Sequence, residues 1–252
     1  MSVRTAARAV DVSAERGLSR SVALLRAFAV EQTAPEIFYG ALAADSVRLV
    51  EDYTNLSGRK VLDVGAGPVQ FAHAFAERGA FYIGVDADER AVGVSDMAGT
   101  TAIVAQGERL PLRPASVDVA FSSNVLEHVR RPSVLTDEMV RVTRPGGLIM
   151  ISYTNWLSPW GGHETSPYHY LGGRRAIDRY ARKYGRPPKN QVDTNLYRLS
   201  VAAGLRLARA QQGTDLLDAR PRYYPRWARG LVRVPLVREF ATWNLLLVLR
   251  RR

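Results

Sequence analysis

One short apolar segment running into a glycine turn constrains this chain more than any other: Val61-Leu62-Asp63-Val64-Gly65-Ala66-Gly67-Pro68. Glycines at such a junction let the backbone turn tightly and leave free N–H groups facing whatever lies beyond the strand. Phosphate is the common guest of such a turn. Asp63, two residues before the first glycine, would repel it. A ligand with an ammonium and a sulfonium at this end is attracted instead, and a phosphate-free nucleoside with cationic groups at an amino-acid end meets that condition.

The segments that follow are spaced as alternating strands and helices. Gln70 to Arg78 reads as a helix stopped at Gly79, and Phe81-Tyr82-Ile83-Gly84-Val85-Asp86 as a second buried strand ending in an acid. Asp86 lies 19 residues after Gly67, the distance that one helix and one strand require. A carboxylate there can accept two hydrogen bonds from ribose hydroxyls. Next come Ala105-Gln106-Gly107-Glu108-Arg109-Leu110-Pro111, a fourth strand and turn over Ser116 to Val129, and a helix, a Pro145-Gly146-Gly147 stop and a fifth strand over Glu138 to Ser152.

Linked in this order over roughly residues 59–153, these motifs resemble the class I S-adenosylmethionine (SAM)-dependent methyltransferases, specifically the bacterial methyltransferase type 11-like group. The resemblance implies an α/β, Rossmann-like fold. Its seven-stranded, mostly parallel sheet has an antiparallel last strand, an N-terminal helical cap and insertions after strands five and six. It implies SAM as the cofactor. Asp63 would organise the methionine ammonium, Gly65 and Gly67 would allow close backbone approach, and Asp86 would hold the ribose. Gln106 and Gly107 would frame adenine, and Ser123 or Asn124 would face the methionine portion. Two positions depart from the family pattern: Val69 stands where many members carry a third glycine, and Gln106 where many carry aspartate. The Gln106 carbonyl can still accept from the adenine amino group. A nicotinamide-binding turn is disfavoured, because its sixth position is Gln70 rather than glycine and Asp63 precedes the turn.

The expected organisation is a helical cap over 1–58 and a methyltransferase domain over 59–252, with insertions at about 154–195 and 213–240. Arg20 to Val30 and Glu36 to Tyr53 read as the cap helices, with residues 1–19 weakly ordered. Ala176 to Tyr184 reads as a short basic helix, Leu196 to Ala203 as the last crossover helix, Leu205 to Ala210 as the sixth strand and Trp243 to Leu249 as the seventh. Insertions leaving the carboxyl ends of strands would border the cofactor site.

Charge is segregated along the chain. Residues 1–150 hold 16 Arg and Lys against 18 Asp and Glu, whereas residues 151–252 hold 19 against 6. A basic block of this kind favours an anionic acceptor, an anionic membrane surface or nucleic acid. A small-molecule or lipid-like acceptor is the leading expectation. RNA methylation is an alternative without a recognisable RNA-binding module, and SAM binding without catalysis is another. No cysteine is present, which excludes disulfides and thiolate metal sites. No signal peptide or 18-residue apolar run is evident, so a cytoplasmic protein is expected. Arg220 to Phe240, which mixes arginine with Tyr, Trp and Leu, keeps peripheral contact with an anionic membrane open as an option.

Methyl transfer to a hydroxyl or amine benefits from a base near its working pH. His163 and His169, in the first insertion, are the candidate catalytic residues, with glycines on either side that can serve as hinges. His73 falls on the helix after the glycine turn and is expected to be structural. Glu127-His128 falls in the turn after strand four. In quinone-pathway O-methyltransferases a related Glu-x-x-Glu-His pattern binds a divalent metal. Asn124 occupies its first position here, and no metal is expected.

Overall fold

The computed structural model describes residues 15–31, 33–67, 70–89 and 99–252, with Gln70 described by its backbone alone. Val69 and the first 14 residues, on which two of the expectations above fall, lie outside the described residues.

Seven strands form one sheet: β1 (Lys60–Val64), β2 (Phe81–Asp86), β3 (Thr100–Val104), β4 (Val117–Ser123), β5 (Thr143–Thr154), β6 (Thr214–Pro221) and β7 (Asn244–Arg251), in the order β3-β2-β1-β4-β5-β7-β6. The first five pair in parallel, and β7 runs antiparallel between β5 and β6. Alternate residues of each strand face opposite sides of the sheet. Val61, Val119, Met150 and Val248 join one apolar layer, completed by α1 (Gly17–Ala29), α2 (Pro35–Glu51) and α3 (Gln70–Ala76). Leu62, Ala120, Ile149 and Leu247 join the other, under α4 (Pro132–Val142) and α6 (Val201–Ala210). Both faces are covered, which is why the central strands are almost continuously apolar.

The carboxyl-terminal third departs from expectation at two neighbouring elements. The last crossover helix, expected over Leu196 to Ala203, begins only at Val201, because Leu196 to Ser200 run non-helical up to its N-cap. Leu205 to Ala210, expected as the sixth strand, belongs to helix α6, whose N-terminus is capped by Ser200 Oγ accepting from Ala203 N at 3.1 Å. Val201, Leu205 and Ala208 recur at helical spacing and are buried together. Gly204 lies so close to β5 that a Cβ on it would stand 2.2 Å from the Tyr153 hydroxyl. The sixth strand is Thr214–Pro221, in the stretch read as an insertion. It is an edge strand carrying Asp215, Asp218 and Arg220, and its register shifts between Leu216 and Asp218. Charge and a bulge together erase the alternation that marks a strand in sequence. The connection from β6 to β7 is therefore residues 222–243, with a 3-10 segment at Arg226–Arg233 and helix α7 (Val237–Ala241). Helix α5 (Gly173–Tyr184) is the short basic helix of the first insertion.

The two insertions meet at the carboxyl end of β5, where Asn155 N donates to the Trp243 carbonyl at 3.2 Å. Ring contacts continue the junction: Phe28 to Trp160 at 5.2 Å, Trp160 to Trp243 at 6.0 Å and Trp243 to Tyr224 at 5.7 Å. Helix α1 thus joins both insertions at the end of the sheet where ligands bind in this architecture.

Candidate active site

β1 ends in the glycine turn. Gly65 and Gly67 have φ of 77° and 47°, values that favour glycine. Gly65 N donates to the Val85 carbonyl at 2.8 Å, fixing the turn to β2. A Cβ on Gly65 would stand 2.2 Å from Val125 Cγ2, so the turn after β4 rests directly on the glycine. Gly107 is similarly confined, between Leu135 and Val64.

Asp63 is 2 % exposed. Its Oδ2 accepts from the Tyr82 hydroxyl at 2.7 Å. Burial raises the carboxyl to about 7; the Tyr82 hydrogen bond opposes this, the negative Asp86 adds to it and Arg222 reduces it. A buried acid poised in this way favours a cation beside it. Asp86, at the end of β2, accepts from Gly67 N at 3.3 Å and from Asp88 N at 2.9 Å, so its carboxylate stands at the mouth of the turn. Gln106 is exposed beyond β3, and its main-chain carbonyl accepts from Arg109 N at 3.0 Å. The structure therefore brings Asp63, Gly65, Gly67 and Asp86 together and sets Gln106 and Gly107 at the end of the neighbouring strand. These residues fit SAM: an anion buried behind a glycine turn, and a second acid for the ribose.

Ser123 and Asn124 close the other side. Asn124 adopts φ 57°, its N donates to the Ser152 carbonyl at 2.8 Å, and its Oδ1 accepts from Asn244 Nδ2 at 2.7 Å. Ser123 Oγ accepts from Arg222 Nη1 at 2.6 Å. Arg222 is the site residue the sequence reading missed. It is 1 % exposed, and its guanidinium also donates to Ser152 Oγ at 2.5 Å and Ser46 Oγ at 2.6 Å. The sequence shows only its position in an arginine-rich run, and nothing there separates it from Arg226 and Arg229, which are exposed.

The four histidines part ways. His73 is exposed on α3. His169 is 1 % exposed, its ring against Trp156 at 5.0 Å and Tyr170 at 4.1 Å. Burial lowers its basicity, and its ring packs within the insertion. His163, at φ 50°, brings its ring 5.0 Å from that of His128, in the turn after β4. Glu127 beside them is buried.

Comparison with known proteins agrees with this arrangement. A family profile described as a methyltransferase domain matches residues 62–151, from β1 to β5. An uncharacterized methyltransferase of Mycobacteroides abscessus is 51% identical over 257 residues, covering 96% of this chain and 98% of the relative. The chain belongs to this methyltransferase family. An uncharacterized methyltransferase of Mycobacterium marinum is likewise 51% identical to it, over 93% of the chain and 95% of the relative. The methyltransferase also shares its fold with an S-adenosylmethionine-dependent methyltransferase from Mesorhizobium loti, at a TM-score of 0.56 and 23% identity, covering 81% of this chain and 96% of that one. The expected Rossmann-like sheet with its antiparallel seventh strand is the observed one.

Proposed function

We propose that this methyltransferase moves the methyl group of SAM to a lipid-like, anionic acceptor presented from the basic insertions. The observation that carries the cofactor half is the pair of acids at the glycine turn, Asp63 buried behind it and Asp86 at its mouth. Asp63 would face the methionine ammonium, with Ser123 and Asn124 on the opposite wall. Asp86 would accept from the ribose hydroxyls, and Gln106 with Gly107 would border adenine. When bound, SAM supplies an electrophilic methyl carbon on a good leaving group. The protein's task is then to align the acceptor and exclude water.

The acceptor half is supported by the connection between β6 and β7. A shallow apolar groove of about 420 Å³ is lined by Tyr224, Trp227, Ala228, Leu231 and Val234. Tyr224 also meets Trp243 of the aromatic junction at the end of β5, so the groove lies beside that junction. Trp227 is 81 % exposed and Leu236 78 %, with Phe240 also exposed. Arg226, Arg229, Arg233 and Arg238 are interleaved with them. Three of these reach carboxylates, Arg226 to Asp52 at 3.3 Å, Arg229 to Asp218 at 3.5 Å and Arg238 to Glu239 at 3.3 Å, which reduces the positive field without removing it. Apolar tips among arginines suit the boundary of an anionic bilayer. Among the described residues no helix is long and apolar enough to cross a membrane.

The test has two arms. Calorimetry with S-adenosylhomocysteine (SAH) should show binding by wild type and at least about tenfold weakening in Asp86→Ala. Co-sedimentation with phosphatidylglycerol vesicles at low salt should exceed that with phosphatidylcholine and fall in Trp227→Ser. A folded wild type that ignores SAH would overturn the cofactor half. Binding to RNA with a steep salt dependence, and none to vesicles, would replace the lipid-like acceptor with a nucleic acid.

A further inference from the structure

Glu127, His128 and His163 each present one ligand atom, and these atoms lie within 4.8 Å of one another. The first two belong to the turn after β4. The third comes from the insertion after β5, 35 residues further along the chain. We infer that these three side chains form a binding site for a divalent transition metal of the zinc type, which ties the insertion to the turn after β4.

The hydrogen bonds around the cluster carry the inference. Glu127 is 1 % exposed, and its Oε1 accepts from Thr154 N at 2.8 Å. Its Oε2 is buried with no hydrogen-bond partner. Leaving a carboxylate oxygen in that condition is costly, and a cation removes the cost. His128 Nδ1 lies 2.7 Å from the Asn195 carbonyl. A carbonyl only accepts, so Nδ1 carries the proton and Nε2 keeps its lone pair for a ligand role. His163 Nδ1 faces the Gly161 carbonyl at 3.4 Å, a longer contact with the same polarity. One atom of each residue is thus anchored to the backbone and the other is available to the cluster. The backbone contacts hold the two imidazoles in the orientation that metal-binding histidines receive from their outer partners.

Two imidazoles and one carboxylate match the donor preference of zinc and its neighbours rather than magnesium or calcium, which favour all-oxygen sets. Three protein ligands leave coordination positions for water or a ligand oxygen. In this role His163 holds an ion rather than a proton. The site shares Glu127 and His128 with the Glu-x-x-Glu-His pattern, but Asn124 bonds Asn244 and the third ligand is His163, from the insertion outside that pattern. The clamp would be independent of methyl transfer, so its failure and that of the proposed function can be told apart.

The full-length protein, stripped with chelator and dialysed, should be titrated with Zn²⁺ and with Co²⁺. One equivalent of Zn²⁺ is expected to bind and to raise the melting temperature, because an ion that binds only the folded state stabilises it. Co²⁺ should give the visible bands of a four- or five-coordinate ion. Glu127→Gln, which keeps the Oε1 acceptor, and His163→Ala should each weaken binding at least about tenfold, the scale of losing one ligand or its orientation. His73→Ala, an exposed histidine far from the cluster, should leave binding unchanged. SAH binding measured on the same samples reports folding and the cofactor site separately. Absence of stoichiometric binding in wild type, or equal binding in wild type, Glu127→Gln and His163→Ala, overturns the assignment.

Discussion

The Tyr82 hydroxyl donates to Asp63 Oδ2 at 2.7 Å, joining the middle of β2 to the acid that precedes the glycine turn. Even with this bond, burial lifts the Asp63 carboxyl from 3.8 to about 7. The unfolded chain releases this proton near its ordinary value, while the folded chain keeps it until about 7. Between those limits the folded state binds more protons, so stability of the ligand-free protein falls as pH rises and levels off above about 7. A ligand ammonium beside Asp63 reverses the preference by favouring the charged carboxylate. SAH affinity should therefore rise between about pH 6 and 7.5, with proton release visible as a buffer-dependent calorimetric enthalpy. Asp63→Asn should abolish both dependences. An affinity flat over that range in wild type would separate Asp63 from the ligand.

Gly65→Ala should destabilise the fold by about 2 kcal/mol or more, because it combines a positive φ with a methyl group forced against Val125. Adding Val125→Ala should recover the steric part and leave the backbone part. Urea denaturation of the two variants separates them, since only the first contribution depends on the neighbour.

Arg222 joins α2, β4 and β5 through three serine hydroxyls. Arg222→Ala should cost about 2–4 kcal/mol, as the polar groups it serves are left without their donor. Arg222→Lys should recover little, since one ammonium cannot reproduce the planar fork that reaches Ser46 on one side and Ser123 with Ser152 on the other. Chemical denaturation gives the stability change, and recovery to wild-type stability with lysine would show that charge alone matters there.

Arg20 meets Asp45 through two contacts, at 2.5 and 2.7 Å, in a buried pair between α1 and α2. Arg20→Met should destabilise by about 3 kcal/mol, because Asp45 keeps its buried charge with only Arg48, at 3.8 Å, nearby. The double variant Arg20→Met with Asp45→Leu should regain most of that loss. A double variant as unstable as the single one would mean the pair is worth more than its desolvation.

The legible parts of this chain were those where backbone geometry and apolar pattern act locally. The glycine turn, Asp63, Asp86 and strands β1, β2, β4 and β5 follow from residues adjacent in sequence, and the structure forms them at those positions. The sixth strand did not, because Asp215, Asp218 and a bulge hide an edge strand, while Leu205 to Ala210, read as that strand, lies inside a helix. Arg222 and the grouping of Glu127 with His163 were illegible for another reason. Their partners lie 36 to 176 positions away, and only the packing of the insertions brings them together.

The place of β7 between β5 and β6 carries a consequence for biosynthesis. Translation delivers the strands in numerical order, so β6 emerges with no neighbour to bond, and β5 shows a bare edge until β7 arrives. Until residues 222–243 fold back and bring β7 into place, the sheet stops at β5 and β6 stays unpaired. Closure of the sheet is thus a single event that waits on β7, and the β6–β7 connection sets when it can occur.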